Sequence, residues 1–366
     1  MEMIDVAVLG ATGTVGQKFI TLLDGHPWFR VREVVASSRS AGRPYRDAVR
    51  WLQDTPIPLA VADLPVRSLE EKLESTVLFS GLDSSVAGEA ELDYAERGHV
   101  VISNSRNHRM DERVPLVIPE INQDHLQLLD RQPWPGAIVT NPNCSTMFLA
   151  MALAPLHRAF GVEAVQVSTM QAVSGAGYPG LPAMSIMGNV IPHIEGEEEK
   201  IETEPLKILG RLGEYGIVPA GMRIGAQCNR VPVVDGHTET VSVKLGSPAS
   251  LDEVRSALES FRGLPQELNL PSAPLQPLWV FDAPDRPQPA RDLPVEKGMA
   301  TLVGRLRECP VLDYRMVLLG HNTIRGAAGA AILNAEAMVA LGYLRNGAFH
   351  REACRGDSCV EEVLAH

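Results

Sequence analysis

Residues 4–16 read Ile4-Asp-Val-Ala-Val-Leu-Gly10-Ala-Thr-Gly13-Thr-Val-Gly16, and this stretch decides the fold of what surrounds it. Six residues with almost no polar interruption are the pattern of a strand covered on both faces. Gly10 permits a tight turn, Gly13 lets the backbone approach a phosphate, and Gly16 allows close packing of helix on strand. A helical stretch from Val15 to about Asp24 follows, and its free N–H groups would face that phosphate. Residues 31–37 give a second strand and complete a βαβ unit of about 30 residues. Gly10, Thr12, Gly13, Thr14, Val15 and Gly16 are therefore candidate nucleotide contacts.

The second strand runs into Ser37-Ser38-Arg39-Ser40. A site for NAD would carry Asp or Glu near here to hold the ribose hydroxyls. Hydroxyls with a guanidinium suit a 2′-phosphate instead, so the expected cofactor is NADP; the competing reading is a polar loop with a solvated arginine. Further apolar runs at 76–81, 99–103, 115–118 and 137–140, each ended by polar or Gly/Pro punctuation, predict a mostly parallel sheet.

The chain has 366 residues, more than one ordinary core, so two domains with a cleft between them are expected. No apolar run reaches the roughly 18 residues of a membrane span. The opening Met-Glu-Met-Ile-Asp has no signal-peptide character, which predicts a cytoplasmic protein. A net charge of −12 argues against nucleic-acid partners, whose binding rests on basic surface. Cys144, Cys228, Cys309, Cys354 and Cys359 are odd in number and scattered, with no C-x-x-C and no Cys/His cluster at zinc spacing. Neither disulfides nor a metal site are expected.

After Asn141 the texture changes. A helix is expected to start at Cys144 with Asn143 as N-cap and with Met147, Phe148 and Met151 on one face. Alternating strands at 162–170, 237–245, 299–307 and 312–320 suit a sheet with one buried face. The Ala-rich segment 323–343 reads as a long helix packing back on the first domain. Pro-rich residues 271–294 read as a surface loop or a dimer-bridging segment, and the last twenty residues as a loose tail.

Thr140-Asn141-Pro142-Asn143-Cys144-Ser145-Thr146 puts a cysteine in the first turn of a helix. There the macrodipole and unpaired N–H groups favour a thiolate and can hold a developing oxyanion, with Asn143 placed to add a side-chain donor. His237, where a glycine turn enters a strand, is the candidate base. The remaining histidines, His26, His125 and His366 among them, read mostly as surface groups.

These motifs, with Met170-Gln171-Ala-Val-Ser174-Gly175-Ala-Gly177, Cys228-Asn-Arg230 and His321-Asn322-Thr323-Ile-Arg, resemble the aspartate-semialdehyde dehydrogenase family, its archaeal and fungal branch above all. The resemblance runs in order from residue 4 to about 345. It implies an α/β fold, with an N-terminal Rossmann-type domain and an α+β catalytic and dimerisation domain. The second sheet is expected to be mixed and largely antiparallel, as in glyceraldehyde-3-phosphate dehydrogenase. The expected boundaries are 1–143 plus 322–350 for the NADP-binding domain, 144–321 for the catalytic domain and 351–366 for the tail. A homodimer or homotetramer is expected, with no membrane partner.

Position by position, the resemblance implies that Cys144 is the nucleophile, His237 the acid/base and Gln171 the residue orienting the acyl group. It makes Arg230 the clamp on the substrate α-carboxylate. Glu204-Pro-Leu-Lys207 matches a Glu-x-x-Lys pair, the carboxylate for the substrate ammonium and the lysine for carboxylate or phosphate. Arg109 matches a phosphate-binding arginine. Ser80, Ser84, Ser174, Gly175, Asn322 and Thr323 fall at cofactor contacts, the last two near the nicotinamide. Asp83 stands where family members usually carry proline, and residues 105–109 are richer in base and amide than the pattern.

The implied reaction is attack of Cys144 on β-aspartyl phosphate, loss of phosphate aided by Arg109 and Lys207, and reduction of the thioester by NADPH to L-aspartate-4-semialdehyde, with His237 handling the proton. Malonyl-CoA or succinyl-CoA reductase is the nearest alternative. Such an enzyme has no substrate ammonium to bind, so the Glu-x-x-Lys motif favours the aspartyl substrate. A non-catalytic NADP-binding regulator would have lost Cys144, Gln171, Arg230 or His237, and all four are present.

Overall fold

The computed structural model describes residues 3–345 and 347–352. Most of the expected C-terminal tail, with Cys354, Cys359 and His366, lies outside the described residues. Six strands form the first sheet: β1 (Ile4–Leu9), β2 (Phe29–Val35), β3 (Val66–Arg67), β4 (Val77–Ser80), β5 (Val100–Ser103) and β6 (Ala137–Thr140). They lie in the order β3-β2-β1-β4-β5-β6, and every pairing is parallel. β4, β5 and β6 are buried at every position, because helices cover both faces.

This is the dinucleotide-binding strand order, and it reverses direction between β1 and β4, where such folds hold their ligands. Gly10 turns the chain there with φ +72°, and a Cβ on it would lie 2.7 Å from the Gly81 carbonyl oxygen at the end of β4. The glycine is thus fixed by a neighbouring loop as well as by its own turn. The first helix, Thr14–Leu23, begins directly behind it.

A small ribbon, β8 (Arg211–Leu212) with β9 (Ile217–Val218), precedes the main part of the second sheet. That sheet contains β7 (Val162–Gln171), β10 (Arg223–Arg230), β11 (His237–Leu245), β12 (Leu278–Val280), β13 (Thr301–Glu308) and β14 (Tyr314–Gly320). The order is β10-β7-β11-β14-β13-β12; the three central pairings are antiparallel and the two outer ones parallel. β11 alternates strictly, with His237, Glu239, Val241, Val243 and Leu245 buried. That face packs on the helix Cys144–Phe160 in one core with Val165, Val167 and Met316.

Four readings change. The nucleophile helix is buried on all sides from Ser145 to Leu156, because it is sandwiched inside this core and presents no polar face. Residues 115–118 make one parallel bridge, Leu116 to Thr140, and no strand. The Pro-rich stretch 271–294 is not all loop, since Leu278–Val280 closes one edge of the second sheet. Edge β10 was not anticipated, for its Gly225, Gln227 and Asn229 hide the strand pattern.

The Ala-rich helix is π-helical over Ile324–Ala328 and α-helical over Gly329–Ala340. Ala331, Ile332, Ala335 and Met338 join the core of the parallel sheet, so the last helix returns to the first half of the molecule. His26 and His125 are both buried. His26 Nε2 lies 2.8 Å from Glu336 Oε1, and His125 is held by Asn122 and the Gly210 carbonyl. Among the described residues no helix is long and apolar enough to cross a membrane.

Candidate active site

A cleft of about 670 Å³ runs from the glycine loop to the start of the nucleophile helix. Gly10, Thr12, Gly13, Thr14 and Val15 form one end, with Ser37 beside them. Thr14 Oγ1 is buried there without a hydrogen-bond partner, as expected of a group that meets a ligand. Glu33, the acid within β2, is not available to ribose hydroxyls. Its carboxylate accepts the N–H groups of Glu74 and Ser75 and the Ser75 hydroxyl. Ser38 and Arg39 stand exposed on the turn beyond Ser37, and Ser40 donates its N–H back to the Ser37 carbonyl.

Three expected cofactor contacts need comment. Ser80 is fully buried and donates to Glu91 Oε1 at 2.6 Å, so it belongs to the core and not to the cleft. Gly16 lies inside the first helix against the Gly10 backbone and does not line the cleft. Ser84 does line it, and Asp83 caps the helix Ser84–Glu96 by accepting the Ser85 N–H and hydroxyl at 2.9 and 2.7 Å. The bonds from Ser85 hold the Asp83 carboxyl below the usual carboxylate range. The departure from proline therefore keeps a well-made helix start.

At the other end Cys144 opens the helix Cys144–Phe160, partly exposed to the cleft. Asn143 caps it: Oδ1 accepts the N–H groups of Ser145 and Thr146, while Nδ2 donates to Glu197 Oε1 at 2.7 Å. The Asn143 amide thus spends its oxygen on the cap and one of its two N–H hydrogens on Glu197, and it lines the cleft. The thiol departs from expectation. Burial first, then the Glu197 charge, pushes it up to about 12 against the pull of Arg109, Arg230 and Lys200. The helix start does not make a resting thiolate here, because the desolvation it must overcome is larger.

The largest correction concerns the acidic helix Glu197–Ile208. Glu204 and Lys207 do not line the cleft. Glu204 accepts Arg109 Nη1 at 2.9 Å and the Asn143 backbone N–H at 2.6 Å. Lys207 Nζ donates to the carbonyls of Arg109, Asp111 and Val114 at 2.7 to 2.8 Å, saturating its three hydrogens. One Glu-x-x-Lys earlier on the same helix, Glu197 and Lys200 do line the cleft and pair at 2.8 Å. Burial tends to raise the Glu197 carboxyl. The Lys200 charge, with bonds from Lys200, Asn143 and Gln171, nevertheless brings it below the usual value.

Gln171, at the end of β7, lines the cleft and donates to Glu197 Oε1 at 3.1 Å. Arg230, at the end of β10, lines it too, with Nη1 donating to the Ala172 carbonyl at 2.8 Å. Arg109 lines it with Nε buried and unpartnered. His237 is fully buried; its Nδ1 accepts the Ala172 N–H at 3.1 Å and its Nε2 has no partner. A Cβ on Gly175 would lie 2.8 Å from Arg230 Nη1 and 3.2 Å from His237 Nε2; Gly175 and Arg230 line the cleft, and His237 lies behind Gly175 without lining it. Asn322 bridges this wall, accepting the Gly236 N–H and donating to Ser174 Oγ, both at 2.8 Å; Ser174, Asn322 and Thr323 all line the cleft.

The sequence reading missed Glu197, Lys200, Asn104, Ser105 and Arg106, all on the cleft. The signal for the first two was present as an earlier Glu-x-x-Lys inside a run of acids. For residues 104–106 the signal was their position after β5, at the same ends of the strands as the glycine loop.

Comparison with known proteins agrees with this geometry. Residues 5–129 match the family described as semialdehyde dehydrogenase, NAD binding domain, and residues 153–325 match semialdehyde dehydrogenase, dimerisation domain. Aspartate-semialdehyde dehydrogenase of Methanothermobacter thermautotrophicus is 51% identical over 342 residues, 91% of this chain and 98% of that protein. That of Schizosaccharomyces pombe is 44% identical over 94% of this chain and all of that protein. The crystal structure of the Candida albicans enzyme with NADP superposes with a TM-score of 0.86 at 42% identity, covering 92% of this chain and 98% of that one. With a nucleotide cleft ending at a helix-opening cysteine, and relatives of this similarity along nearly its whole length, the chain belongs to the aspartate-semialdehyde dehydrogenase family.

Proposed function

We infer that the chain catalyses reductive dephosphorylation of L-4-aspartyl phosphate to L-aspartate-4-semialdehyde, and the reverse, through a thioester on Cys144, in the branch of metabolism that leads to lysine, methionine and threonine. The observation that carries this reading is one cleft lined by Cys144 together with an anion, Glu197, and a cation, Arg230. A zwitterionic acyl substrate needs opposite charges at a fixed separation. Glu197 would meet the substrate ammonium and Arg230 its carboxylate, while Arg109 and Lys200 are the cations for the departing phosphate. Gln171 orients the acyl group, and Glu204 with Lys207 braces the wall that carries Arg109.

NADP fits the other end, where the glycine loop, the unpartnered Thr14 hydroxyl and the acid-free turn at Ser37–Ser40 suit a phosphorylated dinucleotide. The C. albicans relative was crystallised with this cofactor. When bound, it supplies the hydride that a thioester accepts and a carboxylate does not. Substrate ammonium set against Glu197 would offset the second cause, after burial, that raises the Cys144 thiol.

We also propose the division into 1–143 plus 322–350 and 144–321, with assembly into a homodimer or homotetramer through the second part. The match to a dimerisation domain over 153–325 supports an oligomer. The test is direct. Purified protein given aspartate semialdehyde, phosphate and NADP+ should generate reduced nicotinamide, and Cys144→Ser should abolish it. Turnover of malonyl-CoA or succinyl-CoA alone would overturn the reading.

A further inference from the structure

We propose that Asn141 is a positioning residue for this reaction: its buried side-chain amide holds the turn Ile324–Ala328 against Cys144 and so fixes where the thiol stands. The proposal rests on the Cys144 chemistry above. Asn141 acts through its neighbours, since it does not line the cleft.

Asn141 is fully buried just beyond β6, three residues before Cys144. Its Nδ2 donates to Asn104 Oδ1 at 2.8 Å and to the Ala327 carbonyl at 3.1 Å, and its Oδ1 accepts Asn334 Nδ2 at 2.6 Å. A backbone carbonyl only accepts, so the atom facing Ala327 is the amide nitrogen, and both of its hydrogens are spent. Each partner belongs to a different segment. Asn104 follows β5, lines the cleft and accepts Arg109 Nη2 on its carbonyl at 2.7 Å. Ala327 lies in the π-helical turn, and Asn334 in the helix Gly329–Ala340. One amide therefore joins the lead-in to the nucleophile, the loop that carries Arg109 and the turn after Thr323.

The turn matters because of what it touches. The Gly326 N–H donates to the His321 carbonyl at 3.0 Å and the Ala328 N–H to the Thr323 carbonyl at 3.2 Å, each reaching back five residues. These wide bonds bring Gly326 so close that a Cβ on it would lie 2.8 Å from Cys144 Cβ and 3.2 Å from Cys144 Cα. Gly326 and Ala327 line the same cleft as Asn322 and Thr323, the expected nicotinamide contacts. Pro142 links Asn141 to the helix start with a fixed φ, so a shift of the amide is passed on and not absorbed. Loss of the amide leaves the Ala327 carbonyl without its donor in a dry interior, which favours movement of the turn. Displacing a reacting group by about 1 Å costs about 10²-fold in rate.

Asn141→Leu keeps the branched shape and removes every hydrogen bond of the side chain. With the rate counted per alkylatable Cys144, kcat should fall about 10²-fold while KM for aspartate semialdehyde moves less than about threefold. A loss of folded protein with an unchanged rate per thiol would make Asn141 merely structural and overturn the proposal. Gly326→Ala sets a methyl against Cys144 and should lower kcat about tenfold. In the double variant the freed turn backs away from that methyl, so the combined loss should fall short of the product of the two. Losses that multiply overturn the proposal. Iodoacetamide reads the contact without a substrate. Cys144 should alkylate faster in Asn141→Leu, where the turn is released, and slower in Gly326→Ala, where the thiol is crowded. A rate unchanged or moved the other way in either variant overturns the proposal. Inactivity of the unsubstituted protein on aspartate semialdehyde would sink the assigned reaction and leave the alkylation rates to decide the role of Asn141.

Discussion

The acidic helix Glu197–Ile208 carries the same Glu-x-x-Lys motif twice, seven residues apart, and the two copies do opposite things. Glu197 and Lys200 stand on the cleft beside Cys144, whereas Glu204 and Lys207 are built into the wall behind Arg109 and Asn143. Seven residues are almost two helical turns, so both pairs lie on one face of the helix. What separates them is some 10 Å of rise, which carries the second pair from the cleft into packed structure. One charge pattern therefore becomes a candidate substrate contact at one level of the helix and a brace at the next.

The contrast can be broken most sharply at Glu204. Glu204→Ala leaves Arg109 buried without its carboxylate, and loss of about 3–5 kcal/mol in stability is expected, read from the denaturant midpoint. A change confined to the Michaelis constant would mean that Glu204 touches substrate after all. Glu197→Gln should act the other way. We expect kcat/KM for aspartate semialdehyde to fall by about 1.5–3 kcal/mol, roughly 10- to 150-fold, most of it in KM, with stability moved far less.

Glu197→Gln also tests the electrostatics of the nucleophile. The Glu197 charge raises the Cys144 thiol, so its removal should shift alkylation of Cys144 by iodoacetamide to lower pH. An unchanged alkylation profile would separate the two groups. The lysines sharpen the comparison further. Lys207→Met strands three carbonyl oxygens in the wall and should cost about 1–3 kcal/mol of stability. Lys200 is more exposed and bonded only to Glu197, so Lys200→Met should cost under about 1 kcal/mol while still slowing turnover. Equal destabilisation by the two would erase the distinction between contact and brace.

Much of this architecture was legible along the chain. The β1 run and its glycines predicted the first βαβ unit, and the alternation of 237–245 predicted a half-buried strand with its boundaries. Asn143 and Cys144 were read as cap and first residue of a helix, and they are. The less legible parts depend on contacts between distant segments. Ser80 resembled a cleft residue until Glu91, eleven positions away, took its hydroxyl. Edge strand β10 lacked a pattern of its own and exists because β7 offers it a parallel partner. His26 and His125 looked like surface groups because their buried partners lie on other elements.

The sequence by itself determined the local features: a glycine turn after the first strand, an acid-free turn after the second and a cysteine at a helix start. Each of these depends on neighbours a few residues apart, where backbone geometry is fixed. Which of the two Glu-x-x-Lys motifs faces the cleft and how far burial raises the Cys144 thiol were decided only by the tertiary structure. Those properties follow from desolvation and from partners brought together by folding, and neither spacing nor composition encodes them.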